Sequence, residues 1–151
     1  MTPKEKKLLL IDLCARLPYG VKFTSFSENM KYHSEPTTLR QIFYNEEYDA
    51  NNIEGDNDIS SILDLIKPYL RPMLSMTEEE KKQFFKLKQM SVTVIVPNVN
   101  RLKIEYIVDL EDDGDGLNHL YDWLNAHHFD YRGLIPMGLA LEATKGIYNT
   151  K

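Results

Sequence analysis

One cysteine, one tryptophan and seven glycines are spread over 151 residues. The single Cys14 excludes an intramolecular disulfide and a zinc site built on cysteines, and its place in an apolar run of helical spacing predicts a reduced, inert thiol. The chain has no Gly-rich phosphate loop, no Gly-x-Ser-x-Gly elbow and no kinase signature set. Nor does any apolar run approach the roughly 20 residues that a membrane-spanning helix needs. The start, Met1-Thr-Pro-Lys-Glu-Lys-Lys7 followed by Leu8 to Leu10, has the basic and apolar parts of a signal peptide. Asp12 and Arg16 interrupt it too early, however, and no small-residue cleavage site follows. The expectation is a soluble, cytoplasmic protein without a membrane partner.

Basic residues are also missing from long stretches. Gln41 to Ile66 and Ile104 to Tyr131 contain no Lys or Arg while carrying most of the acids, in a chain of net charge −5. Exposed, these segments repel phosphate backbones, which disfavours nucleic acid as a partner.

What is present is ordinary globular material, 42% hydrophobic and 27% charged. It predicts one domain over residues 1–151 that buries about two thirds of its unfolded surface. Thr2-Pro-Lys-Glu5 is a capping box with Pro at the first helical position. The helix it opens carries Leu8, Leu9, Leu10, Ile11, Leu13, Cys14 and Leu17 around more than one stripe, which predicts heavy burial, and Pro18 stops it. Val21 to Phe26 and Thr38 to Tyr44 have strand composition and predict an antiparallel pair. Asn45 to Asn57 reads as an acidic loop or short strand, and Asp58 as the cap of a short helix through Ile59, Ile62, Leu63 and Ile66. Pro68 and Pro72 predict a stiff turn around Tyr69-Leu-Arg71.

A second capping box, Thr77-Glu-Glu-Glu80, opens a surface helix to about Met90 with Phe84, Phe85 and Leu87 inward. Ser91 to Val96, the turn Pro97 to Asn100 and the alternation from Leu102 to Leu110 predict a hairpin. A last helix carries Leu117, Leu120, Tyr121 and Leu124 on one face to about His128, and Leu139 to Glu142 suits a final short strand. Three or four helices with antiparallel hairpins, outside any strand-helix-strand unit, predict the α+β class.

Tyr121 to Glu142 concentrates the informative residues. Here Trp123, His127, His128, Asp130, Tyr131 and Arg132 form the candidate binding set, because aromatic rings and guanidinium groups anchor protein interfaces. A buried helix-to-loop corner has the same composition. His119, Asp122, His127, His128 and Asp130 form the one cluster able to ligate a transition metal, with His128 pointing elsewhere and His119, Asp122, His127 and Asp130 left as the metal candidates. His119 and Asp122 share a helix face and His127 roughly returns to it, so that two His and a carboxylate would suit a metal-assisted hydrolase. Against this, adjacent His at a helix end commonly bond the terminal carbonyls or pack on aromatic rings. Asp109-Leu-Glu-Asp-Asp-Gly114 starts like a calcium loop but has Leu120 where the bidentate Glu belongs, so it reads as an acidic helix-capping turn. Arg16, Arg71 and Arg132 each lie beside aromatics and turns, a setting for carboxylate pairing inside the protein or for an exposed recognition patch.

Three blocks, Leu13-Cys-Ala-Arg-Leu-Pro-Tyr-Gly-Val21, Ile66-Lys-Pro-Tyr-Leu-Arg-Pro-Met73 with Ser75-Met-Thr-Glu-Glu-Glu80, and Asp122-Trp-Leu-Asn-Ala-His-His-Phe-Asp-Tyr-Arg-Gly-Leu-Ile135, resemble a family of small uncharacterised proteins of gut anaerobic bacteria and their prophages or other mobile elements. The family carries no assigned activity, and the resemblance implies an accessory role in which a small cytoplasmic protein binds another macromolecule. The expectation is therefore a noncatalytic α+β interaction domain whose partner is another protein and which uses no cofactor. The alternative is the metal-assisted hydrolase.

Overall fold

Thr2 caps the first helix as its sequence implies. Its Oγ1 accepts from the Glu5 N–H at 3.2 Å, and its own N–H donates to Glu5 Oε2 at 2.7 Å. The computed structural model describes residues 1–94, 106–108 and 115–148, with 89–94, 106–108 and 115–118 described as backbone. In chain order the elements are α1 (Pro3–Arg16), β1 (Lys22–Ser25), β2 (Thr37–Asn45), β3 (Ala50–Gly55), β4 (Ser60–Ile62), β5 (Ile66–Leu70), α2 (Glu78–Ser91), β6 (Val92–Val94), β7 (Tyr106–Val108), α3 (Asp115–Ala126) and β8 (Leu141–Glu142). Helices and mainly antiparallel strands make this an α+β protein. By packing, the chain divides into two compact units, one of residues 1–70 with 132–151 and one of residues 71–131.

The burial of α1 departs from the expected pattern. Leu9 and Leu13 enter the core, but so do Asp12 and Arg16, whereas Ile11 and Cys14 face solvent. A charged pair can occupy core positions when each partner satisfies the other, and these two are bonded across one helical turn. Cys14 is accordingly a surface thiol.

The first unit is built on a sheet of order β4-β3-β2-β1-β5-β8, antiparallel except where β8 runs parallel to β5. The expected β1–β2 pair forms, with Lys22 opposite Thr38 and Phe23 opposite Thr37. The longer partner of β2 is β3, which arises from the segment expected to be a loop or short strand. A bulge between Leu39 and Gln41 inserts Arg40, so Leu39 and Ile42, three positions apart, both reach the core.

No helix follows Asp58. The chain instead forms β4, a 3₁₀ turn at Leu63–Leu65, and β5, in which Ile66, Pro68 and Leu70 alternate into the core. Period-two burial wins over the helical spacing of Ile59, Ile62 and Ile66. Tyr69 and Leu70, expected in a stiff turn, also belong to β5. The Phe26 N–H donates to Leu65 O, which places Phe23 and Pro68 at a non-hydrogen-bonded pair where β1 asks for no N–H from β5. Leu9, Leu13, Val21, Phe23, Leu39, Ile53, Leu63, Ile66, Leu70, Leu134, Leu139 and Ala140 fill this core.

In the second unit, Thr77 and Glu80 close the expected capping box at the start of α2. Phe84 is fully buried, with Phe85 and Leu87 packed around it. β6 and β7 pair antiparallel from Val92 opposite Val108 to Val94 opposite Tyr106, as the hairpin pattern implies. The expected turn at 97–100 and the acidic segment 109–114 lie outside the described residues. Met76, Phe84, Leu120, Leu124 and Phe129 make the core of this unit.

A Cβ placed on Gly55 would stand 2.9 Å from Phe23 Cε1 and 2.9 Å from both branch atoms of Thr37. Gly55→Ala is expected to destabilise the fold by about 1–3 kcal/mol, read as a lower urea midpoint. An unchanged midpoint would mean that the Phe23 ring and Thr37 yield freely.

Candidate functional site

Trp123 on α3 and the singled-out residues from His127 to Tyr131 that follow it form a packed corner of the second unit. α3 ends at Ala126, and His128 adopts a φ of 60°, the left-handed conformation that closes a helix. Phe129 N–H then donates to Leu124 O at 3.0 Å. The chain next lies beside Arg71, whose N–H donates to His128 O while the Asp130 N–H donates to Arg71 O, both at 2.8 Å. This fixes the Phe129 ring under the Arg71 guanidinium, 4.3 Å from its centroid. Trp123 stacks on Phe129 at 5.6 Å and 21°, and the His127 ring lies 4.3 Å from that of Trp123. His127 Nδ1 is 2.8 Å from the Trp123 carbonyl oxygen, which only accepts, so Nδ1 carries the proton.

Of the candidate binding set, His128 and Asp130 are buried. Trp123, His127 and Tyr131 are half-buried and engaged, Trp123 Nε1 with Gln83 Oε1 at 3.2 Å and the Tyr131 hydroxyl with Asn125 Oδ1 at 3.0 Å. Arg132 belongs to the first unit. The segment is thus taken up in packing and does not spread into one open face.

The four metal-ligand candidates do not converge. His119 and Asp122 are exposed on α3, Asp130 is buried, and His127 rests on Trp123. Among the described residues no group of three His, Cys, Asp or Glu is placed to hold an ion. The physical reason is the helix end: α3 stops before His127, and the ring finds an aromatic face and a terminal carbonyl first.

The three arginines are all paired with carboxylates inside their own units. Arg71 makes two 2.8 Å bonds to the two oxygens of Glu80. Arg16 donates to Asp12 through Nε at 2.8 Å and Nη2 at 3.1 Å, and Arg132 Nη1 adds a third bond to Asp12 at 2.9 Å. Asp12 is fully buried. Near this cluster the Tyr148 hydroxyl accepts from the Lys22 N–H at 2.9 Å and donates to Tyr69 O at 2.7 Å. Burial pushes its phenol above the ordinary range, against the Lys22 bond and the Arg16 charge that act the other way, so it stays a neutral donor. An exposed arginine patch is therefore not what these residues form.

No protein-family model, curated protein or solved structure matches the chain.

Sequence reasoning passed over the tyrosines of the β2–β3 hairpin. Tyr44 is 55% and Tyr48 68% exposed, and Tyr32 in the loop before β2 is 74% exposed. Between the strands, Asn45 Oδ1 accepts from the Glu47 N–H, Asp49 takes a φ of 47°, and the Tyr44 hydroxyl donates to the Asp49 carboxylate. Asn and Asp flanking a short acidic run between strand formers were the available signal.

Glu80 carries the clearest pH signature. Burial alone would raise its pKa, but the Arg71 bonds and those from Thr77 outweigh it and hold it at about 2, against an ordinary 4.5. A depressed carboxylate pKa adds stability that is complete above the ordinary value and lost as pH falls through the folded value. Acid titration of the urea midpoint is expected to show a loss of up to about 3 kcal/mol between roughly pH 5 and pH 2, and Glu80→Gln to remove that component. Parallel curves for the two proteins would contradict it.

Proposed function

We propose that this is a noncatalytic domain that binds another protein, in the cytoplasm, in the accessory role that the family resemblance implies. The observation that carries the reading is the exposure of Tyr32, Tyr44 and Tyr48 in a unit whose other large apolar residues mostly fill a core. Tyrosine offers a large, rigid contact area at low conformational cost, and such rings dominate protein interfaces. The noncatalytic side is supported by the engagement of the groups suited to chemistry: His127 on a carbonyl and an aromatic face, and Arg16, Arg71 and Arg132 on carboxylates. The contact surface accordingly moves from the Trp123–Arg132 segment to the exposed tyrosines.

Alanine at Tyr32, Tyr44 and Tyr48 is expected to leave stability within about 0.5 kcal/mol per site and to abolish retention of a partner in affinity capture from host extract. Trp123→Ala is expected to do the reverse, lowering stability while sparing capture. Undiminished capture by the triple tyrosine variant would sink the proposal.

A further inference from the structure

We infer that the end of the β2–β3 hairpin is a docking surface for a cationic protein segment, one rich in Lys and Arg. The inference rests on the reading that the protein binds another protein, and it adds where and with what chemistry.

The sheet register makes the hairpin end an arm. β1 pairs with β2 only at Thr37 and Thr38, and β4 pairs with β3 only at Asn52 to Glu54. The pairs Tyr44 with Asn51 and Asn45 with Ala50, and the turn from Glu46 to Asp49, run past both neighbouring strands. Residues paired across an antiparallel ladder share a face. Ile42 and Ile53 turn theirs to the core, and Tyr44, two positions beyond Ile42, lies on the same face past the core's end. Its exposure follows from that geometry.

The arm is also pre-formed. The bond from the Tyr44 hydroxyl to Asp49 ties the ring across the turn, and the Asn45 side chain accepts from the Glu47 N–H within it. Such ordering removes part of the entropy lost on binding. Tyr48 stands free of the sheet at 68% exposure, flanked by the exposed acids Glu46, Glu47 and Asp49.

Charge then selects the occupant. The segment from Gln41 to Ile66 holds seven Asp and Glu and no Lys or Arg. The cations that flank it in sequence are engaged, Arg40 with Asp56 and Lys67 over the Phe26 ring at 5.8 Å, and Lys6 is paired with Asp64. Exposed ring faces bordered by carboxylates suit ammonium and guanidinium groups, which bind π-faces and acids together, and they repel anionic partners. Such contacts are individually weak and screened by salt.

The test uses the full chain and labelled peptide probes of equal length: an Arg/Lys/Gly peptide, a Glu/Gly peptide and a neutral Ser/Leu/Gly peptide, followed by fluorescence anisotropy. The basic probe is expected to bind at low salt, to weaken about tenfold with Glu46→Lys, and to weaken several-fold with Tyr48→Ala. Asp122→Lys makes the same change in net charge on exposed α3 and is expected to leave binding within about twofold. Amide shifts on binding should centre on residues 44–49, and Glu46→Gln serves if the Lys variant melts early. Equal weakening by Glu46→Lys and Asp122→Lys would reduce the effect to general charge and overturn the inference. So would no binding of the basic probe, or tighter binding of the neutral one. In either of those cases, loss of partner capture on removing the tyrosines would still stand for the interaction reading, with a partner of other chemistry.

Discussion

One carboxylate with no exposure, Asp12, accepts hydrogen bonds from two guanidiniums, and the first unit depends on it. Arg16 lies one turn along the same helix, whereas Arg132 arrives from 120 residues away. A unit made of residues 1–70 and 132–151 must recover the entropy of bringing distant segments together. Asp12 is where the returning chain is first held. Leu134, Leu139 and Ala140 then enter the core, β8 joins β5, and Tyr148 is fastened between Lys22 and Tyr69. Charge, packing and a sheet edge act on successive stretches of one returning segment.

A buried ion pair gives little net stability over a well-packed apolar substitute, but removing one partner leaves an uncompensated charge in low dielectric. Asp12 therefore acts more as a specifier than as a source of stability. Arg132 brings a second guanidinium to a carboxylate whose two oxygens Arg16 already engages. The second unit repeats the device near its own surface, where Glu80 both closes the capping box of α2 and orients the guanidinium that covers Phe129. That one carboxylate links helix initiation to the placement of the corner after α3.

What could be read from the sequence was what local chemistry decides. Both capping boxes, the antiparallel pairing of β1 with β2, the β6–β7 hairpin and the α+β class follow from residue type and short-range period. The errors came where tertiary partners overrode local signals. The spacing of Ile59, Ile62 and Ile66 suits a helix, yet strand neighbours claimed the segment. α1 has more apolar residues than its buried stripe can hold, and ion pairing, invisible in a period, put Asp12 and Arg16 inside and Ile11 and Cys14 outside. His127, by contrast, takes the helix-end carbonyl and the aromatic face that its place in the sequence favours over metal ligation. The exposed hairpin tyrosines were hidden because strand composition gives no sign of where a sheet outruns its core.

Function, on this account, divides by solvent access. Arg16, Arg71, Arg132 and His127 are engaged in internal ties, whereas Tyr32, Tyr44 and Tyr48 stand exposed. The direct measurement is a double-mutant cycle on Asp12 and Arg132, using Asp12→Asn, Arg132→Met and the pair, with unfolding free energies from urea denaturation. Each single change is expected to destabilise, Asp12→Asn by about 3 kcal/mol, with a coupling of at least about 1 kcal/mol. Near-neutral and additive single changes would show that Arg132 is not a structural tie, and would return it to the candidates for partner recognition.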